Sequence, residues 1–349
     1  MIASRVIVVV VGLVVGCGTE TGEPPRSVDV EVTVGANGFS EPFTIDVPEH
    51  TRSLTIVATG AADGLYALGA FQTADGAEHV GLDLGAPPGA QMRSSYDTEQ
   101  IGQMPGMLFQ TIRLGTFTHV YPYRPDQSVV AGTTTLRIAS DRPGPVRVRV
   151  LMPPDDGGQV LHVNLFVVSD TLVLAQPAPF LDELQTIFNQ VGITIVVDET
   201  RVIAGSGLAR ITQSTEPQEA PGSQSARLPA LATNPLSPGA LDIFIVESLP
   251  SGIGGLSLGT PGPPVRDSYY YGVVIRYTAN EMAMAIVVAH EASHFLALQH
   301  VTNTGISGTV YPDPLDDTQP GQSNLMQTGT ALTADQGFAL TRSALLSVD

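Results

Sequence analysis

Lysine is absent from this sequence, so all 16 basic side chains are arginine. We read that as a bias of composition with no functional consequence of its own. Cysteine occurs once, at Cys17. No internal disulfide can therefore form, and no thiolate elsewhere in the chain can bind a metal site and silence it. Positive charge is scarce: 16 basic against 34 acidic residues leave a formal net charge of −18. That balance argues against nucleic acid and against anionic lipid surfaces as partners. Charged residues of both signs make up only 14% of the chain and hydrophobic residues 43%, the composition of a globular rather than a disordered protein. Glycine and proline are plentiful, 36 and 27 in 349 residues, which favours many turns and short strands over a helical bundle. The length allows two domains, each with a core of its own.

The N-terminal stretch reads as a targeting segment. Arg5 supplies a small positive region, and Val6 to Val15 form an apolar run too short to span a bilayer comfortably. It ends in Val14-Val15-Gly16-Cys17, which resembles the lipobox of bacterial lipoproteins. The resemblance implies that residues 1–17 form a signal segment ending at a lipidated Cys17, so that the mature chain is exported and anchored by its lipid in the cell envelope, at the outer membrane or cell surface. The plainer alternative is an ordinary signal peptide with an incidental cysteine. Residues 18–27 are small, polar and proline-containing, as expected of a flexible tether.

From residue 28 to 152 the sequence reads as short strands. Val28 to Val34 alternates strictly, and similar runs follow at Phe43–Val47, Ser53–Ala58, Met107–Leu114, Thr133–Ala139 and Val146–Met152. Turn residues separate them, which predicts an all-β sandwich. His50, His79 and His119 are dispersed through it and read as ordinary surface or turn histidines. Residues 153–158, Pro-Pro-Asp-Asp-Gly-Gly, read as a linker. From 159 to 349 strands and helices alternate, which points to an α/β or α+β domain. Expected strands lie at Val160–Val168, Ile193–Val197, Leu241–Val246 and Tyr271–Ile275, with a helix over Pro179–Val191. Residues 205–239 read as a surface insertion with little regular structure.

The segment that carries chemistry runs from Thr278 to His300. Thr278 and Glu281 form a plausible capping box for a helix whose residues are almost all apolar. Two histidines and a glutamate in such a helix are costly unless something pairs them, and a metal ion would do so. His290 and His294 are four apart and stack on one helical face, able to reach one ion. Glu291 faces the water on that ion. His300 lies six beyond His294, so the chain must turn near Ala297 to bring it back. Three neutral imidazoles and one water make an open tetrahedral zinc site, with Glu291 as the base that takes the proton from the water.

This pattern resembles the extended motif of the metzincin metallopeptidases, His-Glu-x-x-His-x-x-Gly-x-x-His. The match covers roughly the last 190 residues and implies an α/β (α+β) metzincin-like catalytic domain, one catalytic zinc ion and a protein or peptide substrate. Asn324-Leu325-Met326 matches the methionine turn that underlies the zinc site in that family. Thr333-Ala-Asp-Gln336 resembles the capped C-terminal helix that follows it, and Asp313 to Thr318 resembles the acidic Asp-Thr stretch of pappalysin-like members. The resemblance further implies that substrate lies extended along an edge strand, for which Gly252 to Gly259, with Gly255, Leu256 and Ser257 at its centre, is the candidate rim. Two positions depart from the pattern. Ala297 stands where the family has glycine, and Thr328 stands where some members carry a tyrosine.

Two readings follow. One is a zinc endopeptidase displayed as a lipoprotein. The other is a surface binding or adhesion lipoprotein that keeps zinc for structure only, against which stands Glu291, since a purely structural site has no use for a base. Asp313, Asp316 and Asp317 raise calcium as a further ion, with a solvated acidic loop as the simpler account. The sequence fixes no oligomeric state.

Overall fold

The computed structural model describes residues 26–81, 110–155, 159–172, 178–212, 223–304 and 310–347. The expected signal segment, the expected lipidation site Cys17 and nearly all of the expected tether lie outside these residues, as do 213–222 of the expected insertion. The protein is mixed α/β, with several sheets and three α-helices among the described residues. None of these helices is long and apolar enough to cross a membrane. The chain divides into two compact units. One reaches Tyr121 and resumes at Ser128–Asp156, and the other takes Pro122–Gln127 and Gly157–Asp349.

The first unit carries β1 (Arg26–Val34), β2 (Phe43–Val47), β3 (Leu54–Thr59), β4 (Tyr66–Gln72), β5 (Glu78–Gly81), β6 (Gln110–Arg113), β7 (Thr116–Tyr121), β8 (Gly132–Ser140) and β9 (Gly144–Met152). They form a five-stranded sheet, β1-β9-β3-β7-β6, and a four-stranded one, β2-β8-β4-β5, both antiparallel throughout. One apolar cluster draws on both sheets, with Val30, Ile56, Phe117 and Val148 from the first and Ile45, Leu68, Phe71 and Leu136 from the second. One of the dispersed histidines is not a surface residue: His119 is buried on β7. His79 is half-buried, and its ring and that of Tyr121 pack against Phe71 at 5.3 and 4.9 Å. Pro153 and Pro154 are held by the backbone of His50 to Arg52, with Arg52 N donating to Pro153 O at 2.9 Å, so the start of the expected linker is pinned.

In the second unit β10 (Val160–Val168) leads through α1 (Phe180–Asn189) to β11 (Thr194–Ile203), then to β12 (Leu241–Val246), β13 (Gly255–Ser257) and β14 (Val273–Arg276). The sheet runs β11-β10-β12-β14-β13. Its first four strands are parallel and β13 is an antiparallel edge. β10 and β12 are buried along almost their whole length because both faces are covered, as parallel strands require, and the polar pair they carry, Asn164 and Asp242, is hydrogen-bonded side chain to side chain at 2.9 Å. Phe180, Leu184, Ile187 and Phe188 give α1 one buried face, with Asp182 and Glu183 in its first turn where the helix dipole favours acids. Then come α2 (Glu281–Phe295), the hairpin β15 (Thr302–Thr304) and β16 (Val310–Pro312), α3 (Ala334–Thr341) and β17 (Leu346–Ser347), which pairs with β10. The segment expected as a surface insertion contributes core: Leu208, Ile211, Leu228 and Ala232 join Phe166, Phe244 and Val274 in one buried cluster.

Candidate metal centre

Helix α2 begins one residue after Asn280. The Asn280 side chain accepts from Ala283 N at 2.8 Å, so Asn280 rather than Thr278 is the cap, while the Thr278 hydroxyl accepts from Asn280 N. Met284, Ala285, Val288, Ala289, Ala292 and Phe295 are all buried, so the helix is enclosed on most sides and its histidines are firmly placed. At its far end the chain reverses through a Schellman arrangement. Leu298 N donates to Ser293 O at 2.8 Å and Ala297 N to His294 O at 3.0 Å, with Ala297 at a φ of 118°. Glycine takes that conformation freely, whereas an alanine there costs on the order of 1–3 kcal/mol. The turn forms nonetheless, and it returns His300 to the helix.

His290, His294 and His300 therefore meet. The Nε2 atom of His300 lies 3.2 Å from that of His290 and 3.1 Å from that of His294. Their ring centroids are 4.5 to 5.2 Å apart. The other nitrogens decide the tautomers. His290 Nδ1 donates to Leu325 O and His294 Nδ1 to Leu298 O, each at 2.7 Å. With their protons on Nδ1, both residues offer bare lone pairs at Nε2, so one proton on His300 could serve only one of the two close contacts. Three imidazole Nε2 atoms gathered this closely fit a metal ion. Two bonds of about 2.0–2.1 Å at a tetrahedral angle separate ligand nitrogens by about 3.3 Å, close to the separations seen. Among the described residues these three form the one group of histidine, cysteine or acidic side chains that could hold a metal in this way. Burial lowers the pKa of His290, and burial with the mutual repulsion of the ring charges holds His294 well below the usual value, so both stay neutral as ligands must.

Glu291 is partly buried beside the cluster, and its carboxylate accepts from Ser257 N. Burial outweighs that bond and pushes its pKa up to about 7. Strand β13 lies against it so closely that a Cβ on Gly255 would stand 2.6 Å from Glu291 Cγ. Arg276 N donates to Gly254 O and Leu258 N to Gly272 O. The alternation of an antiparallel ladder therefore turns the backbone groups of Gly255 and Ser257 away from β14, toward the free edge. Gly255 and Ser257 thus border Glu291, while Leu256 packs instead against the buried cluster that contains Phe244 and Val274.

Met326 is fully buried and its carbonyl accepts from Val301 N at 3.3 Å, next to His300. Gln299 N, on the other side of His300, donates to the hydroxyl of buried Tyr123 at 3.4 Å. Nothing in the local sequence marked Tyr123, 177 residues before His300, as a neighbour of this loop. Thr328 N donates to Asn324 O within the tight turn. Asp313 is buried rather than solvated. Its Oδ1 accepts from the Thr318 hydroxyl and from Leu315 N, and it does not converge with Asp316 and Asp317 on an ion-sized site.

No protein-family model matches the sequence, and no curated protein matches it. Among solved structures, metalloproteinase-II from Bacteroides fragilis aligns at 16% identity with a TM-score of 0.32, over 51% of this chain and 51% of that one. The YxiM protein of Bacillus subtilis aligns at 12% identity with a TM-score of 0.16, over 77% and 75%. The chain thus spans about half the length of the first of these structures. Both superpositions are too loose to carry an argument, and the functional reading rests on the geometry of the three histidines.

Proposed function

We propose that this chain is a zinc-dependent endopeptidase with His290, His294 and His300 as metal ligands and Glu291 as general base. The observation that carries the reading is the convergence of three Nε2 atoms beside a carboxylate, with Nδ1 of His290 and His294 fixed by backbone carbonyls. The donor set favours zinc, since three neutral imidazoles and an open fourth position suit a catalytic zinc site. When bound, such an ion acidifies water and polarises a carbonyl.

Glu291 takes a proton from the attacking water as the new C–O bond forms. It then delivers that proton to the leaving nitrogen as the C–N bond breaks, so the peptide is split by one water molecule. The bond from Ser257 N holds the Glu291 carboxylate in place for both halves of that transfer. An extended substrate would add to the free edge of β13, using the outward backbone groups of Gly255 and the carbonyl of Ser257, whose N–H is held by Glu291. Met326, buried in the turn whose carbonyls reach His290 and Val301, would form the floor of the site. We further propose that the chain is held in the cell envelope by a lipid on Cys17, and that residues 28–152 serve as a β-sandwich accessory domain to the peptidase domain at 159–349.

The test is cleavage of a peptide library by the purified full chain loaded with zinc. Cleavage that stops with a chelator and returns with stoichiometric zinc is the expected result. A chain that binds one zinc and cleaves nothing would instead support the reading as a zinc-containing binding or adhesion lipoprotein.

A further inference from the structure

The turn at Leu325 and Met326 reaches two of the three histidines. Leu325 O orients the His290 ring, and Met326 O accepts from Val301 N beside His300. What holds the turn is a pair of buried amides. Asn324 Nδ2 donates to Gln336 Oε1 at 2.9 Å, and Gln336 Nε2 donates back to Asn324 Oδ1 at 3.0 Å. Both side chains are almost fully buried. Each oxygen accepts a second bond from the backbone it stabilises: Asn324 Oδ1 from Met326 N at 2.9 Å and Gln336 Oε1 from Thr333 N at 3.1 Å. The Asn324 carbonyl accepts from Gln327, Thr328 and Gly329 in turn. The first turn of α3 is thereby tied through one amide pair to the carbonyl that sets the His290 ring.

We infer that the Asn324–Gln336 amide pair is a positioning device for the metal centre, acting through the Leu325 carbonyl on His290 and through Met326 on the chain beside His300. The inference rests on the three histidines being metal ligands. Gln336 also closes the capping box of α3 with Thr333, and that role alone would predict an effect on helix stability and none on the metal. Outer-shell partners of metal-bound histidines act differently, since their loss lowers metal affinity about 10–100-fold.

The experiment compares the full chain with Gln336→Leu, with the milder Gln336→Asn, and with Leu340→Ala. Leu340 is buried on α3 and takes no part in the amide pair, so its truncation loosens the same helix by another route. Zinc affinity is measured by chelator competition, and the cobalt(II)-substituted protein is examined for its ligand-field bands. Gln336→Leu should bind zinc at least about 10-fold more weakly and shift the cobalt bands. Gln336→Asn should move both in the same direction by less, which keeps the question answerable if Gln336→Leu does not fold. Leu340→Ala should lower the melting temperature and leave both metal readouts unchanged. Unchanged affinity in a folded Gln336 variant would overturn the inference, as would an equal loss in Leu340→Ala. A parent chain that binds no zinc would overturn the metal reading beneath it.

Discussion

Replacing Gly255 by alanine puts a methyl group into the narrowest gap beside Glu291. The added Cβ would lie 2.6 Å from Glu291 Cγ, 2.7 Å from Val287 Cγ1 and 3.1 Å from Glu291 Oε1. Carbon atoms in good contact stand about 3.5–4.0 Å apart, so about 1 Å must be found. Val287 sits on α2 and gives little, whereas the Glu291 side chain can swing, at the expense of its bond from Ser257 N. The stability cost is that of modest overpacking, about 1–2 kcal/mol. The catalytic cost is larger, because a misplacement of about 1 Å in a reacting group costs on the order of 100-fold in rate, or about 2.7 kcal/mol of barrier. Steady-state peptide hydrolysis, zinc affinity and thermal melting of Gly255→Ala should separate these effects. We expect kcat lower by about two orders of magnitude, with zinc affinity within about twofold of the parent because no histidine is displaced. A kcat close to the parent's would refute the claim that β13 fixes Glu291.

Gly262 offers the opposite case. A Cβ there would lie 2.1 Å from two ring atoms of Phe295, which is buried against Tyr271, and Gly262 N is held by Phe295 O at 2.9 Å. Neither side can retreat, so Gly262→Ala should destabilise by about 3 kcal/mol or more in urea unfolding. A change below about 0.5 kcal/mol would show that the loop adjusts freely. Asp313 has its pKa raised to about 6, by burial first and then by the charges of Asp317 and Asp335. A carboxyl that binds its proton more tightly in the folded state destabilises that state as pH rises from the ordinary carboxylate range toward 6. Relative to Asp313→Asn, the parent should therefore lose stability over that interval and differ by a constant amount above it. Paired urea midpoints at several pH values check this, and a difference independent of pH would contradict it.

How far each element could be read from the sequence follows from where its partners lie. β10 and β12 are found at the expected boundaries because a parallel strand covered on both faces is a largely apolar run, broken here only by His162, Asn164 and Asp242. β4 and β7 escape the reading for a related reason: nearly every residue of both is buried, so the alternation that reveals β1 is missing. In β4 the register also shifts at Gly69. β11 runs on to Ile203 past two acids because Asp198 pairs with His162 and Glu199 with Arg201. Among the histidines, the spacing of four and the helix were local features and could be read directly. The carbonyl of Leu325, the hydroxyl of Tyr123 and the amide of Gln336 could not, because each reaches the site through the tertiary fold, whereas the carbonyl of Leu298 is set by the local reversal at Ala297. Ala297 shows why a missing glycine is weak evidence against a turn. Two backbone hydrogen bonds and a buried Leu298 stand against one strained residue, and the turn forms.

The central claim is that Glu291 moves the proton in peptide hydrolysis at a metal held by the three histidines. Glu291→Gln keeps the size of the side chain and removes its basicity. The decisive measurement is peptide hydrolysis by the full chain and by Glu291→Gln at matched zinc content, each verified by metal analysis. The account predicts hydrolysis by the parent and a loss of at least about 100-fold in kcat in the variant. A variant that cleaves as fast as the parent with the same zinc bound would contradict it.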